Sequence, residues 1–380
     1  MNSLVLYCKS DNKEITSNYD PQQQKNEIVE FHINLWKVKN GIIKVIPNLI
    51  FDFGIKFDST ITELCLFLPF RISKKLGVKD LGKCLSTNRN LLNAVFNEDM
   101  ICQSASNHCF SKITDNTDDT STLFFIYHLG EDNIKIQDYT EESEVKGTYL
   151  TININGNPSN NKESQTEKYY IRFRVFVENI EEIVRTEILS NDLLQAAFSR
   201  MDLFDIRLNE KREIPSKVEE KMKKEQFCLC SFEKLHFFYI ADTHETINNG
   251  IDLRKDSRLL ENEQWIDYEP HSNIADVNYI AHHWKRKEEN PISHFSLFFT
   301  TLYPRLSIIR LTAYFSVVII LGWIGSMLSF SFHELFSNSV LPSWVKWCKP
   351  TIIFVFLIAL FAYIVKSNFI LLIIKLKRKL

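Results

Sequence analysis

Cations interleaved with aromatic residues are the side chains in this sequence best suited to binding a ligand. The segment 168–174 reads KYYIRFR. On a strand, its alternation puts Tyr170, Arg172 and Arg174 on one face, while the residues between them turn toward the core. Aromatic rings of this kind stack on bases and cations hold phosphates, so we expect an exposed face suited to an anionic ligand, although neither this face nor the basic run described next specifies a nucleotide on its own. Charge that only solubilises a sheet face is the competing interpretation.

A run of basic residues between positions 71 and 89 is the second candidate for ligand binding. Asp80 is the only acidic residue in the run. Cations gathered in this way favour an anionic partner. We expect six residues to join the same binding surface: Arg71, Lys74, Lys75, Lys79, Lys83 and Arg89.

Signatures of the common enzyme classes are missing from the sequence. There is no phosphate-binding loop, dinucleotide fingerprint, HExxH or GxSxG motif. We therefore predict no catalytic residues, no cofactor and no enzymatic activity, although acid–base pairs distant in sequence leave a tethered enzyme open. The doublet His282-His283 is interpreted as part of a solvated polar face, and Cys228 and Cys230 as small buried residues, so no metal site is predicted.

Overall charge and composition limit the classes of protein that fit. The 380 residues carry 45 Lys and Arg against 47 Asp and Glu, and 45% are hydrophobic. This near-neutral balance excludes a wholesale polyanion binder, while the apolar content is typical of a folded chain. The start of the chain has no secretory signal, so we expect the N-terminal part in the cytoplasm with reduced thiols.

Segments of alternating apolar residues predict a strand-rich domain over 1–290. Strands fit 28–72, 123–129, 148–155 and 226–242, and a helical stretch fits 81–97. The predicted fold class is α+β, a cytoplasmic strand-rich domain followed by a C-terminal two-helix transmembrane hairpin. A polar loop at 156–167 is the candidate boundary between two subdomains.

The C-terminal part carries long apolar runs that predict this hairpin over 311–376. Residues 311–332 contain no charge, and 351–374 contain one; about 20 apolar residues cross a bilayer. Basic flanks place both termini inside the inner (plasma) membrane, with a short outer loop at 333–350. The preceding segment, 291–310, has helical spacing of its apolar residues and is predicted to be an amphipathic elbow against the membrane lipid.

Small and polar residues within the apolar runs are candidates for a pore or gate. Gly322, Gly325 and Ser326 allow close helix contact, and Lys366 and Asn368 place polar groups at depth. Two spans per chain cannot enclose a water-filled path. A pore would therefore need a homo-oligomer, and we expect a tetramer or pentamer.

A cytoplasmic domain followed by a two-helix hairpin resembles the two-span membrane effectors of bacterial anti-phage systems. It is similar in particular to the Hailong-type effectors, and in topology to CorA-type magnesium channels. The CorA family carries Gly-Met-Asn at the outer end of its first span, where this chain has Gly325-Ser326-Met327, so magnesium selectivity is not implied. The resemblance implies a channel joined to a domain that binds a nucleotide or DNA signal.

The leading hypothesis is therefore a ligand-gated homo-oligomeric ion channel acting in antiviral defence. In it, the basic and aromatic faces hold the signal and shift the domain between two states. The alternative is a membrane-tethered interaction or scaffold protein without conduction.

Overall fold

The computed structural model describes twelve stretches of the chain. These are residues 3–10, 27–38, 49–104, 109–115, 122–154, 167–179, 183–187, 198–248, 254–265, 268, 278–304 and 308–336.

Strands dominate the described residues, as the alternating apolar pattern predicts. The strands are β1 Val5–Ser10, β2 Ile28–Lys37, β3 Leu49–Asp58, β4 Ile61–Leu68, β5 Arg71–Ile72, β6 Val78–Asp80, β7 Met100–Ser104, β8 Phe110–Asp115, β9 Thr122–Tyr127, β10 Ile134–Glu141, β11 Glu144–Asn153, β12 Lys168–Asn179, β13 Val184–Glu187, β14 Ser199–Leu208, β15 Cys228–Leu229, β16 Ser231–Asp242, β17 Thr246–Asn248, β18 Arg254–Leu259, β19 Tyr279–Ile292 and β20 Phe295–Pro304.

Helices are fewer in the described part, and most are short. They are α1 Gly82–Thr87, α2 Arg89–Phe96, α3 Ser216–Lys224, α4 Asn262–Trp265 and α5 Ile308–Phe336, with 3-10 turns at Glu131–Asn133 and Lys211–Glu213. The predicted helical stretch at 81–97 is confirmed as α1 and α2. The Asn88 side chain accepts a hydrogen bond from the Leu91 backbone N–H and so caps α2, which ends at Asn97 in the left-handed conformation.

The described strands form three sheets. The large sheet runs β18-β19-β16-β2-β3-β12-β9-β8-β7, with β5 and β6 also paired to β12. A second sheet runs β10-β11-β4-β1-β15, and a third runs β13-β14-β20-β17. Most neighbours are antiparallel, but β16 pairs with β2 and β12 with β9 in parallel.

Both faces of the large sheet are covered. On one face, side chains such as Phe31, Phe53 and Phe173 pack in a single core with apolar residues of the two smaller sheets. On the other face, Trp36 and Tyr170 pack with residues of α1, α2 and α4. The strands of the large sheet are therefore apolar on one side and mixed in character on the other.

The chain divides into two compact units, each made of two segments that alternate along the sequence. The first comprises Met1–Leu189 and Ser199–Pro304, and the second comprises Ser190–Phe198 and Arg305–Leu380. Residues on both sides of the predicted boundary at 156–167 belong to the first unit, and nearly all of that loop lies outside the described residues.

The segment predicted as a helical elbow over 291–310 is mostly a strand. It forms the end of β19 and the whole of β20, which pairs along its full length with β14. Alternate residues of β20, including Phe295, Leu297 and Phe299, are buried. The prediction of a helix was wrong because the segment also carries a period of two, in Phe295, Leu297 and Phe299, and pairing with β14 selects the strand.

The C-terminal region does not support the predicted hairpin. Residues 308–336 form one helix, α5, whose described side chains are largely exposed. Among the residues whose side chains the structure describes, no helix combines the length and the apolarity needed to cross a bilayer. The predicted transmembrane hairpin, the inner-membrane localisation and the assignment as a membrane ion channel are therefore contradicted. The resemblance to two-span effectors depended on that hairpin and stays a prediction.

Candidate functional site

The three residues predicted to line an exposed face of β12 are buried instead. Tyr170, Arg172 and Arg174 share one face of the strand, as predicted, but are only 0%, 2% and 0% exposed. The prediction that the three residues share a face was right, and the prediction that this face is exposed was wrong. The face is covered because Tyr268 and residues of α1 and α2 pack on it.

Arg174 has a complete set of buried partners. Its Nε and Nη2 donate to the two carboxylate oxygens of Asp52 at 2.6 and 2.9 Å, and its Nη1 donates to the Tyr268 carbonyl oxygen. Asp52 also accepts from Trp36 Nε1 at 2.7 Å. This bidentate pair is charge-balanced, so its role is structural.

Arg172, two residues earlier, has neutral partners. Its Nε donates to the Tyr268 hydroxyl at 2.7 Å and its Nη1 donates to the Tyr170 hydroxyl at 2.8 Å. Burial raises the pKa of both phenols, so they stay protonated at neutral pH. No carboxylate of the described residues forms an ion pair with Arg172, which leaves a buried positive charge without a direct counter-charge.

Gly54 makes room for this arrangement. It lies on β3 opposite Arg172. A Cβ atom added there would lie 2.2 Å from Tyr170 Oη and 3.2 Å from Arg172 Nη1. A glycine within a strand often marks close approach of another group. Here the groups that approach are the side chains of Tyr170 and Arg172, which extend over Gly54 from the neighbouring strand.

Arg172 borders a cavity of about 580 Å³ on the mixed face of the large sheet. Strands β2, β3, β7, β9, β12, β16, β18 and β19 form its floor, and α2, the turn after it and α4 contribute to the rest of the lining. The lining residues are Glu30, His32, Asn34, Lys56, Ala94, Val95, Phe96, Asn97, Glu98, Met100, Leu123, Phe124, Arg172, Lys234, His236, Phe238, Ile240, Asp256, Arg258, Leu260, Trp265, Ala281, His283 and Lys285.

Strand register explains how these distant residues meet. Lys234 on β16 is the register partner of Glu30 on β2, and Glu30 is in turn the register partner of Lys56 on β3. One row further along the strands, His236 pairs with His32. The two-residue period repeats these rows on the same face, which concentrates the polar side chains in the cavity floor.

Histidines and a glutamate form the centre of the floor. His32 Nε2 lies 3.0 Å from Glu30 Oε1, and His236 Nδ1 lies 3.1 Å from His283 Nε2. The rings of His32 and His236 meet edge to face at 4.9 Å between centroids. One ligand atom each of Glu30, His32 and His236 lies within 4.8 Å of the others.

Electrostatics set the protonation of this group. Burial alone would raise the pKa of Glu30, but the hydrogen bond with His32 and the charges of Lys234 and Lys56 lower it to about 2. Burial lowers the pKa of His32, and burial together with the neighbouring His32 and His283 lowers the pKa of His236 to about 3. At neutral pH, the floor therefore holds a carboxylate beside neutral imidazoles.

Two polar atoms of the lining have no partner. Asn34 Oδ1 and Trp265 Nε1 are buried and make no hydrogen bond in the structure described, and their residues are 5% and 3% exposed. Buried polar groups without partners are rare. An acceptor and a donor are thus available on the cavity wall.

The predicted basic run lies elsewhere. Lys74, Lys75, Lys79 and Lys83 are exposed, and Arg71 is half-buried in β5. Arg89 pairs with Asp99 at 2.9 Å on the surface. None of the six belongs to the lining of the cavity, so the structure does not join this run to Arg172 in one site.

The remaining predicted residues fall into three groups. Gly322, Gly325 and Ser326 are exposed on α5, and Lys366 and Asn368 lie outside the described residues. Cys228 and Cys230 are buried, as predicted. The histidine doublet is not a solvated face, because His282 is buried and bonds to Ser257 Oγ, while His283 stacks on Phe238 at 4.2 Å.

Sequence reasoning missed the residues of β2 and β16 that form the cavity floor. A signal was present, because EFHINLW and EKLHFFYI both place a histidine among apolar residues, two positions after a charged one. What the sequence does not show is that these strands pair side by side in matching register. The chain matches no known protein-family model, and no curated protein shows significant sequence similarity to it.

Proposed function

We propose that the first unit is a binding module for a small anion that carries an aromatic ring system, of the nucleotide class. The observation that carries this proposal is the buried Arg172, which faces the cavity and has neutral phenols as its hydrogen-bond partners.

The charge of Arg172 favours an anionic ligand. A buried charge without a counter-ion costs several kcal/mol on the order-of-magnitude scale for desolvated ions. Arg174 recovers this cost through Asp52, whereas Arg172 does not. A phosphate in the cavity would supply the missing anion and accept hydrogen bonds from the guanidinium group.

The other charged groups of the cavity favour the same ligand. Lys56, Lys234, Lys285 and Arg258 also reach the lining, against three carboxylates, those of Glu30, Glu98 and Asp256. With Arg172 included and the histidines neutral, five positive charges therefore face three negative ones. A cavity with this balance attracts anions.

Aromatic and polar groups of the wall suit the ring of such a ligand. Phe96, Phe124 and Phe238 line the cavity, and a base can stack on rings of this kind. The orphaned Asn34 Oδ1 and Trp265 Nε1 could then bond to the polar edge of the base. The volume of about 580 Å³ lies within the range of small-molecule sites, which favours a mononucleotide or dinucleotide over a DNA strand.

Titration calorimetry tests this proposal. The protein, kept in EDTA, is titrated with nucleoside mono-, di- and triphosphates, dinucleotides, a short single-stranded DNA and inorganic phosphate. We expect a nucleotide to bind, and the Lys234→Ala/Lys285→Ala double variant to lose affinity about tenfold or more, since tenfold corresponds to about 1.4 kcal/mol.

The matched control is Lys74→Ala/Lys75→Ala, which removes the same charge from the exposed basic run. It should leave the affinity unchanged. Absence of binding by every nucleotide, or loss of binding in the control but not in the cavity variant, would overturn the assignment. Binding of DNA alone that depends on Lys74 and Lys75 would favour the exposed run instead.

A further inference from the structure

Three side chains of the cavity floor have the composition of a transition-metal site. Glu30 and His32 are two residues apart on β2 and point to the same side, and His236 is the register partner of His32 on the neighbouring parallel strand β16. Their ligand atoms lie within 4.8 Å of one another. Two imidazoles and one carboxylate are a ligand set used by catalytic zinc and by non-haem iron.

The distances allow closure around one ion. Metal–ligand bonds of about 2.0–2.2 Å put tetrahedral ligands roughly 3.4 Å apart. His32 Nε2 and Glu30 Oε1, 3.0 Å apart, are already close to that spacing. Starting from a separation of at most 4.8 Å, His236 would need to move by about 1.4 Å or less.

Hydrogen bonds orient the two imidazoles for this role. The Nδ1 of His236 is engaged with His283 Nε2 at 3.1 Å, which leaves its Nε2 for an ion. The Nδ1 of His32 lies 3.4 Å from the Tyr170 hydroxyl, which leaves its Nε2 beside Glu30. Contacts of this kind from the second ring nitrogen hold metal-bound histidines in place.

We propose that Glu30, His32 and His236 bind a divalent transition metal ion through one carboxylate oxygen and two Nε2 atoms. Three protein ligands leave a fourth coordination position open toward the cavity. The site goes beyond the proposed nucleotide binding, and a phosphate oxygen is a ligand that could fill the open position.

Neighbouring cations compete with the ion for Glu30. Lys234 Nζ lies 3.5 Å from Glu30 Oε2, and Lys56 is the cross-strand neighbour of Glu30 on the other side. Since like charges repel, these lysines weaken metal binding in the absence of an anion. Removal of the Lys234 charge should therefore raise the affinity for the metal ion.

The test uses zinc alone on the full chain after removal of bound metal by EDTA and exchange into chelator-free buffer. Equilibrium dialysis counts the zinc bound, and cobalt substitution reports the ligand geometry through its visible absorption. We expect one zinc per chain, at least tenfold weaker binding in Glu30→Gln and in His236→Gln, and several-fold tighter binding in Lys234→Ala. Circular dichroism establishes that each variant is folded.

His244→Gln is the matched control, because His244 is 75% exposed and its ring contacts Asp242 far along the strand from the floor. It should bind zinc like the unaltered protein. The proposal is overturned if the unaltered protein binds no zinc, or if folded Glu30→Gln and His236→Gln bind it as tightly as the control. Since the nucleotide titration is made in EDTA, failure of one assignment leaves the other standing.

Discussion

The two faces of the large sheet come from the same strands but bury different chemistry. Along β2, Phe31, Ile33 and Leu35 turn to one side, where stacked rings such as Phe31 and Phe53 fill the space between sheets. Glu30 and His32 turn to the other side and border a cavity. One face is packed to make the fold stable, and the other is left unfilled and charged, which is the arrangement expected of a binding site.

Energetically, the cavity face is costly in the absence of a ligand. It holds an arginine that pairs with no carboxylate of the described residues, and two buried polar atoms without a hydrogen bond. Natural proteins break the rules of packing mostly at functional sites. Mutations on the two faces should therefore act differently, on stability for the packed face and on binding for the cavity face.

The largest expected effect is on the packed face. Phe53 is fully buried and contacts the rings of Phe31, Phe51 and Phe173. Phe53→Ala should lower the free energy of unfolding by about 3–5 kcal/mol, as measured by urea denaturation. Phe238→Ala, which borders the cavity, should cost less. Equal losses of unfolding free energy in Phe53→Ala and Phe238→Ala would contradict the difference between the two faces.

Gly54→Ala should have the next largest effect, because on the cavity face it disturbs both packing and the position of Arg172. The added methyl group collides with Tyr170 Oη at 2.2 Å, and overpacking of this kind costs about 1–3 kcal/mol. The displaced Tyr170 can no longer hold Arg172, so nucleotide affinity should fall as well. Calorimetry and urea denaturation on the same sample check both effects, and unchanged affinity in the folded variant would contradict the positioning of Arg172.

Acid sensitivity is the smallest expected effect and should come from the cavity face. His236 has a pKa of about 3 in the folded chain, below its unfolded value of about 6.5. The unfolded chain then takes up a proton that the folded chain does not, so the free energy of unfolding should fall as the pH drops below about 6.5.

The charged and titratable groups that face His236 are Glu30, His32, Lys234, His283 and Lys285. His236→Gln should reduce the slope of stability between pH 7 and 5.5, and the exposed His244→Gln should not. A slope that is the same in both variants would place the acid sensitivity outside the cavity.

Sequence alone was enough to predict several central strands and which side chains of β12 share a face. Alternation placed β2, β3, β12 and β16 correctly, and Tyr170, Arg172 and Arg174 do share a face. Alternation does not tell whether the second face of a sheet is exposed, since that depends on helices packed from elsewhere in the chain. The exposed face predicted around Arg172 was wrong for this reason.

The cavity could not be predicted because its residues meet through register. Glu30, His236 and Lys285 are far apart in sequence, and β2 and β16 are joined by parallel pairing across more than half of the chain. The run of cations at 71–89 stands out locally because Asp80 is its only acidic residue, but none of its six cations lines the cavity. Long-range pairing, rather than local charge density, places cations in the site.

Two arginines on β12 give the most direct test of the central claim, that Arg172 is kept for a ligand and Arg174 for the fold. Arg174→Met should lower the free energy of unfolding by about 3–5 kcal/mol, because it leaves the buried carboxylate of Asp52 without its ion-pair partner. Arg172→Met should not lower the ligand-free stability, since the hydrogen bonds to neutral phenols are lost together with an unpaired buried charge, yet it should lower nucleotide affinity at least tenfold. Equal losses of stability in the two variants, or full nucleotide affinity in Arg172→Met, would contradict the account.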